Sequence, residues 1–411
     1  MAYLELNLEL TEEQEALKKE VHKFAVEVLR PASLKLDKMT PEEVIAEGSI
    51  YWDVMKKMYE LGYHTVHTPD EYGGMGLDPV SQHIFWEELA YGSVGFTVSL
   101  GVTLFPSFMA SMIPEDRIVE EIIKPFAKCN DASIIGCWAI TEPNHGSDTL
   151  TPGMEQFRNP EIYQQVTAYK KGDRWILNGQ KSAWVSNGPI ATQALLFVNI
   201  DKSMGMAGGG ICIVDLTQKG VQKGKPLDKM GQRELPQGEI YFTDVEVPEE
   251  LMIVDPDSYE FMTDIVIAEA NMHMGAFFTG LAQAAYDLAL KYCTERKQGG
   301  KYLIEHNSVK EKLFHMFTKV ETARAYSRAV MNYNLNLTPP VAKFSLSSKV
   351  YCTQAAFEVC NEAVQLFGGY GLTKEYEIEK LFRDARAGLI EDGSNHILAI
   401  SGGNMIMKEV F

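Results

Sequence analysis

Near the C-terminus, the stretch LIEDGSNHI (389–397) sets two adjacent carboxylates, Glu391 and Asp392, in front of a glycine. A carboxylate held in a dry loop can act as a general base toward a proton within hydrogen-bond reach, so both are candidate catalytic residues. The bland alternative is a solvated pair of loop acids. A second stretch, WAITEPNHGSD (138–148), offers Trp138 beside hydroxyls and main-chain amides, and AWVSN further on adds Trp184. Flat apolar walls with polar edges suit an aromatic heterocycle, although single tryptophans in strands more often fill a core. His145 and His396 stand in no metal-ligand spacing, and no metal is expected.

The glycine-rich GGYG (368–371) follows a helical pattern rather than a strand, so the context of a dinucleotide fingerprint is missing. With no P-loop lysine, phosphoryl transfer is not the chemistry indicated. MGMAGGG (204–210) reads as a flexible loop.

Elements that could position these residues fall into an α–β–α order. In TEEQEALKKEVHKFAVEVLR (11–30), Leu17, Val21, Phe24, Ala25 and Val28 share a helical stripe, with Thr11 and Gln14 forming a capping box. Helical spacing returns at 50–62, 79–91 and 115–128, around the turn-rich PDEYGGMGLDP. From about 133, short runs rich in β-branched and aromatic residues appear: SIIGCWAI, WILNGQ, AWVSN, ALLFVNI, GGICIVDL and EIYFTDVEV. Long apolar helical faces then occupy 257–298, 308–336, 340–367 and 374–386. The expected domains are therefore helical over 1–132, β over 133–250 and helical over 251–411.

Composition excludes some functions. A chain of 411 residues with a net charge of -18 lacks the clustered cations that bind nucleic acid or anionic membrane. Six cysteines with no C-x-x-C pair, in a chain this large, read as reduced core residues of a cytoplasmic protein. The opening MAYLELNLELTEEQ shows no basic n-region or apolar h-region, and no run of eighteen apolar residues occurs, so neither a secretory leader nor a membrane span is expected.

WAITEPNHGSD resembles the T-E-P-x-x-G-S-D signature of the acyl-CoA dehydrogenases, FAD enzymes that desaturate acyl-CoA thioesters. Other segments resemble the family in the same order: LTEEQEALKKEVHKFAVEVLRP, PDEYGGMGLDP, EELAYG, NGQKSAWVSNG, MGQRELPQGEIYFTDVEVP, GLAQAAYDLALKYCTERKQGGK and QLFGGYGLTKEYEIEKLFRDAR. The likeness covers nearly the whole chain. It implies an N-terminal helical domain, a barrel-like central β domain and a C-terminal four-helix bundle, assembled as a dimer or, the first choice, a homotetramer.

Carried over residue by residue, the resemblance sets Trp138, Ile140, Thr141, Gly146 and Ser147 around the flavin ring or its substrate face. Trp184 and Ser186 match the pair that packs on the isoalloxazine, and Ser394 and His396 follow the acid pair toward the cofactor. Arg296, Gln365, Gly369 and Gly371 match segments through which a neighbouring subunit holds the FAD pyrophosphate and adenosine.

The family's usual aromatic–Glu–Gly–Thr becomes Glu391–Asp392–Gly393–Ser394, which puts Asp392 at the base and Glu391 where the aromatic belongs. Asp is one methylene short, and an error of about 1 Å can cost around 10²-fold in rate. Some relatives carry the base on a helix; alignment through GLAQ (280–283) puts that position on Ala270, beside Glu269. One residue is about 100° of helical rotation, which makes Glu269 a lesser candidate. Asn271 replaces a frequent Arg, Gly299 a Phe and His396 a Gln, while 149–168 is longer than usual.

The expected activity is removal of the α-proton of an acyl-CoA and transfer of the β-hydride to flavin N5, with an electron-transferring flavoprotein as acceptor. The lost aromatic and shortened base point to a branched or cyclic acyl group, most specifically cyclohexane- or cyclohexene-carboxyl-CoA. Alternatives are a flavin oxidase or monooxygenase of the same fold, and a non-catalytic subunit of a heteromer.

Overall fold

A computed structural model describes residues 10–410; most of the opening stretch read for a leader lies outside them. Helices fill the first third. Glu12–Phe24 begins with the expected box, the Thr11 side chain accepting from Gln14 N while the Gln14 side chain accepts from Thr11 N. Ile50–Glu60, Pro79–Gly92 and Val94–Ser111 follow. Asp116–Ile118, Val119–Ile123 and Lys124–Lys128 run on as one helical stretch whose central part, Val119–Ile123, is a π-helical turn.

The middle of the chain forms one eight-stranded sheet: β1 Gly136–Ala139, β2 Thr167–Lys171, β3 Arg174–Lys181, β4 Gln193–Asn199, β5 Gly209–Asp215, β6 Val221–Lys223, β7 Ile240–Pro248 and β8 Met252–Val254. Its order is β6-β7-β3-β2-β4-β5-β8, with β1 pairing in parallel with β4. AWVSN is a turn and not a strand: Asn187 takes a left-handed φ of 62°, and only Ser186 makes an isolated bridge, to Gln237. Nor is MGMAGGG a loose loop. Lys202–Gly208 makes short 3-10 turns on either side of a kink at Gly205, whose φ is 68°, and Gly209 opens β5 so close to Tyr259 that a Cβ there would lie 2.5 Å from the ring.

The last third packs Pro256–Glu295, Asn307–Leu335, Ala342–Phe367 and Ile378–Gly388 together, followed by Asn395–Val410. Pro256–Glu295 is the axis of the molecule, with every residue from Ile265 to Tyr286 buried. Two helices, Val94–Ser111 and Pro256–Glu295, have the length and apolarity to cross a membrane, but their apolar windows are 78% and 100% buried in the fold. A helix apolar all round is what a large core demands.

Polar contacts join the three regions. Glu234, in the loop before β7, is fully buried and accepts hydrogen bonds from Ser33 at 2.7 Å and Lys380 at 3.1 Å. Arg383 makes a two-pronged bond to Asp37 at 2.9 and 2.7 Å. Buried charges satisfied this way are costly to break, so they fix how the regions meet.

Candidate active site

Between Ile378–Gly388 and Asn395–Val410, residues 389–394 make a tight turn that carries both acids. Asp392 has a left-handed φ of 52°, and Gly393 follows at 96°. Aspartate tolerates that conformation better than most residues, and the glycine is needed for the second reversal. Lys349, fully buried on Ala342–Phe367, holds the turn from beneath by donating to the Gly393 carbonyl at 2.7 Å and to Asn395 Oδ1 at 2.9 Å.

The two acids differ in their bonding. Gln232 Nε2 donates to Glu391 Oε1 at 2.7 Å, whereas no group among the described residues hydrogen-bonds the Asp392 carboxylate. Burial lifts Asp392 to about 6, partly opposed by the Lys349 charge. Burial and the neighbouring Asp392 lift Glu391 to about 7, against Gln232, Lys349 and Lys229. Burial in turn lowers both Lys349 and Lys229 to about 8. Two acids poised near neutrality beside depressed lysines make a site able to exchange protons.

Opposite this turn lies the segment that leaves β1. Ser147 Oγ accepts from the Ser394 amide at 3.0 Å, tying the TEPNHGSD loop to the acid loop. Glu142 is structural, being fully buried against Lys181 Nζ at 2.8 Å and accepting the Val166 amide at 2.9 Å. Trp138 stacks on Phe105 at 5.3 Å, and its buried Nε1–H has no partner among the described residues. Ile140 is buried and offers its carbonyl to Lys181 at 3.1 Å, the Thr141 carbonyl receives the Ser182 amide at 2.9 Å, and Gly146 faces open space. Trp184 is 59% exposed, a bare indole face on the surface. Gln237 Nε2 donates to Ser186 Oγ at 3.0 Å, and its Oε1 accepts from Lys229 at 2.9 Å. His396 is exposed in the first turn of the last helix.

Arg296, Gln365 and Gly369 come together in a separate cleft of about 740 Å³ at the end of the bundle. The Arg296 guanidinium lies 5.7 Å from the Tyr370 ring, and a side chain at Gly369 would meet nothing within 4 Å. Gly371 is buried beneath the cleft, its Cβ position only 2.5 Å from the Val364 carbonyl oxygen. Glu269 is buried on the long helix, its carboxylate has no hydrogen bond among the described residues, and burial alone raises it to about 7.

Sequence reasoning passed over Lys349, Lys229 and Gln232. Gln232 lies inside MGQRELPQGEIYFTDVEVP, a segment that resembles the family, and Lys229 immediately precedes it, while the signal for Lys349 is a cation interrupting an apolar helical face.

Residues 11–113, 137–245 and 266–406 match the N-terminal, middle and C-terminal domain families of acyl-CoA dehydrogenase, respectively. A 3-(aryl)acrylate reductase of Clostridium sporogenes is 29% identical over 97% of this chain and 99% of its own length. The caffeyl-CoA reductase–Etf complex subunit CarC of Acetobacterium woodii is 30% identical over 90% of this chain and 93% of its own. In three dimensions, butyryl-CoA dehydrogenase of Megasphaera elsdenii superposes with a TM-score of 0.85 at 28% identity, covering 98% of this chain and 100% of that one. The chain belongs to the acyl-CoA dehydrogenase family, FAD-dependent oxidoreductases that act on CH–CH bonds. The chain carries groups of the kinds a flavin dinucleotide takes: a Trp138 N–H without a partner among the described residues, an exposed indole face on Trp184 and the Arg296 guanidinium at the bundle cleft.

Proposed function

We propose that the protein desaturates a cyclic or flat acyl-CoA thioester, with Asp392 as the base for the α-proton. The observation that carries this reading is the contrast within the acid pair: Glu391 is engaged by Gln232, and Asp392 is left unbonded on a turn clamped by Lys349. The Asp392 carboxylate takes the α-proton and becomes a carboxylic acid. The C–H electron pair it releases becomes the new C=C π bond as the β-hydrogen leaves with its own pair. When bound, FAD supplies the acceptor for that hydride. Lys349 favours the carboxylate over the acid before the reaction.

On this reading Trp138, Ile140, Thr141, Gly146, Ser147, Trp184, Ser186, Ser394 and His396 surround the flavin ring. Arg296, Gln365, Gly369 and Gly371 hold the adenosine end for a neighbouring copy, so a homo-oligomer, a tetramer by preference, completes the site. Glu391 in place of an aromatic, and relatives named for arylacrylate and caffeyl-CoA, support a flat or cyclic acyl group such as cyclohexane- or cyclohexene-carboxyl. The relative named for an Etf complex supports an electron-transferring flavoprotein as redox partner. Six buried free thiols support a cytoplasmic setting.

Anaerobic flavin bleaching of wild type and Asp392→Asn, with straight-chain, branched and alicyclic acyl-CoAs, tests the reading. The expected result is bleaching by alicyclic or flat esters and a loss of about 10²- to 10⁴-fold in the variant, with FAD and ligand still bound. A variant as fast as wild type moves the role to Glu391 or Glu269. Rapid reoxidation by air identifies an oxidase, and bleaching by no acyl-CoA identifies a silent subunit.

A further inference from the structure

Three heteroaromatic rings meet beside the long helix. His67 and His273 have centroids 4.4 Å apart, and Trp86 lies 5.6 Å from the first and 5.8 Å from the second. Each keeps one buried ring nitrogen, His67 Nε2, His273 Nε2 and Trp86 Nε1, without a partner among the described residues. Leaving three such atoms unpaired is expensive, and an unsatisfied buried cluster points to a missing polar group.

The chemistry of the missing group can be read from the rings. His273 Nδ1 lies 2.7 Å from the Glu269 carbonyl oxygen, which can only accept, so Nδ1 carries the hydrogen. Burial lowers His273 to about 4 and His67 well below the usual range, so near neutral pH both imidazoles are uncharged. His273 Nε2 is therefore a bare acceptor, while Trp86 Nε1–H is a bare donor. An anion meets no cation from this trio, and a hydrocarbon satisfies none of it. A hydroxyl, which both donates and accepts, answers both, whether carried by a ligand or by a water molecule that a ligand hydroxyl would displace.

The trio also connects to the flavin side of the site. Trp138 stacks on Phe105, which lies 6.4 Å from Phe108, which in turn lies 5.7 Å from His67. An apolar run of rings thus leads from Trp138 to the polar cluster.

We propose that His67, Trp86 and His273 form the far end of the acyl-binding site and hold a hydroxyl on the acyl group, which donates to His273 Nε2 and accepts from Trp86 Nε1–H. This rests on the reading of the chain as a dehydrogenase of cyclic or flat acyl-CoAs. The substrate class is then a hydroxylated alicyclic or aromatic acyl-CoA. Sites built to bond a substrate hydroxyl reject the analogue lacking it far more strongly than apolar pockets reject an added one.

Two matched pairs test this with the FAD-loaded protein: 4-hydroxycyclohexanecarboxyl-CoA against cyclohexanecarboxyl-CoA, and 3-(4-hydroxyphenyl)propanoyl-CoA against 3-phenylpropanoyl-CoA. Anaerobic calorimetry gives the Kd, and flavin absorbance is followed on the same samples. The hydroxylated member of at least one pair is expected to bind at least about tenfold tighter, and His273→Leu should abolish or reverse that preference. Trp86→Phe, which keeps an aromatic ring and loses the donor, should reduce it and serves if His273→Leu does not fold. Equal affinity within both pairs, no binding of the hydroxylated members, or a preference unchanged in the folded variants overturns the inference. A hydroxyl preference without bleaching leaves the inference standing and removes the dehydrogenase reading for that acyl class. Bleaching without preference does the reverse.

Discussion

The Ser394 amide donates a hydrogen bond to the Ser147 hydroxyl at 3.0 Å, across 247 positions of sequence. That bond joins the loop leaving β1 to the turn that carries Glu391 and Asp392, so the proposed base and the proposed flavin wall are placed by one contact. Geometry at this junction matters because a shift of about 1 Å between reacting groups can cost around 10²-fold in rate.

A base is active when it has lost its proton. With Asp392 raised to about 6, the rate of flavin reduction relative to substrate Kd should increase with pH through about 6 and then level off. Lys349 holds that value down, so Lys349→Met should move the rise to higher pH. Stopped-flow pH profiles of both proteins check this, and coincident profiles would remove Lys349 from the account.

Glu269 tests linkage in the opposite sense to the usual acid. Its folded pKa is raised from 4.5 to about 7, so its stabilising protonated form is complete below about 4.5 and is lost as pH rises through about 7. Glu269→Gln mimics the protonated form and escapes that loss. Urea unfolding should find the two proteins alike near pH 4 and the variant more stable by roughly 3 kcal/mol at pH 8. A difference independent of pH would show that burial does not hold the proton on Glu269.

The fully buried Glu142–Lys181 pair gives a prediction about stability rather than chemistry. Glu142→Gln leaves the Lys181 ammonium without its counter-charge and should destabilise the fold by about 3 to 5 kcal/mol. Replacing both residues with apolar side chains of similar size should recover much of that, as chemical denaturation of the single and double variants can establish.

Trp184 and Arg296 are predicted to matter for the cofactor and not for the fold. Trp184 is 59% exposed, so Trp184→Ala should leave the melting temperature of cofactor-free protein nearly unchanged while weakening FAD binding at least about tenfold. Arg296→Ala, in the bundle cleft, should weaken it by a similar factor through loss of a charge-assisted bond. FAD fluorescence titrations measure both, and unaltered affinity in either variant would take that residue out of the binding site.

Much of this was legible in the sequence, and the misses share a cause. The capping box of Glu12–Phe24 and the long bundle helices follow from local spacing, which sequence displays directly. Val94–Ser111 does not: VGFTVSLGVTLFPSFMAS is rich in β-branched residues and glycine, contains Pro106, and is helical because burial on nearly every side overrides propensity. AWVSN had strand composition, but the Asn187 side chain donates to the Ser99 and Gly136 carbonyls at 2.9 and 3.2 Å and bends the chain into a turn. TAYKK is not among the expected strands, since β2 has one buried residue, Ala168, and shows no alternating apolar signal. In the site, the motifs supplied residue identities, but the clamp from Lys349 and the bond from Gln232 to Glu391 depend on chain segments far apart in sequence. Only tertiary structure brings those together.

All six thiols are buried, and burial raises Cys137 and Cys352 to about 12 and Cys293 to about 11. An alkylating reagent needs an exposed thiolate, so each cysteine reacts only when the structure above it opens. The chain therefore carries its own set of breathing gauges, Cys137 and Cys212 in the sheet and Cys293, Cys352 and Cys360 in the bundle. Labelling rates that fall into two groups along that division mean that sheet and bundle open as separate units, and a single shared rate means that the molecule opens as one.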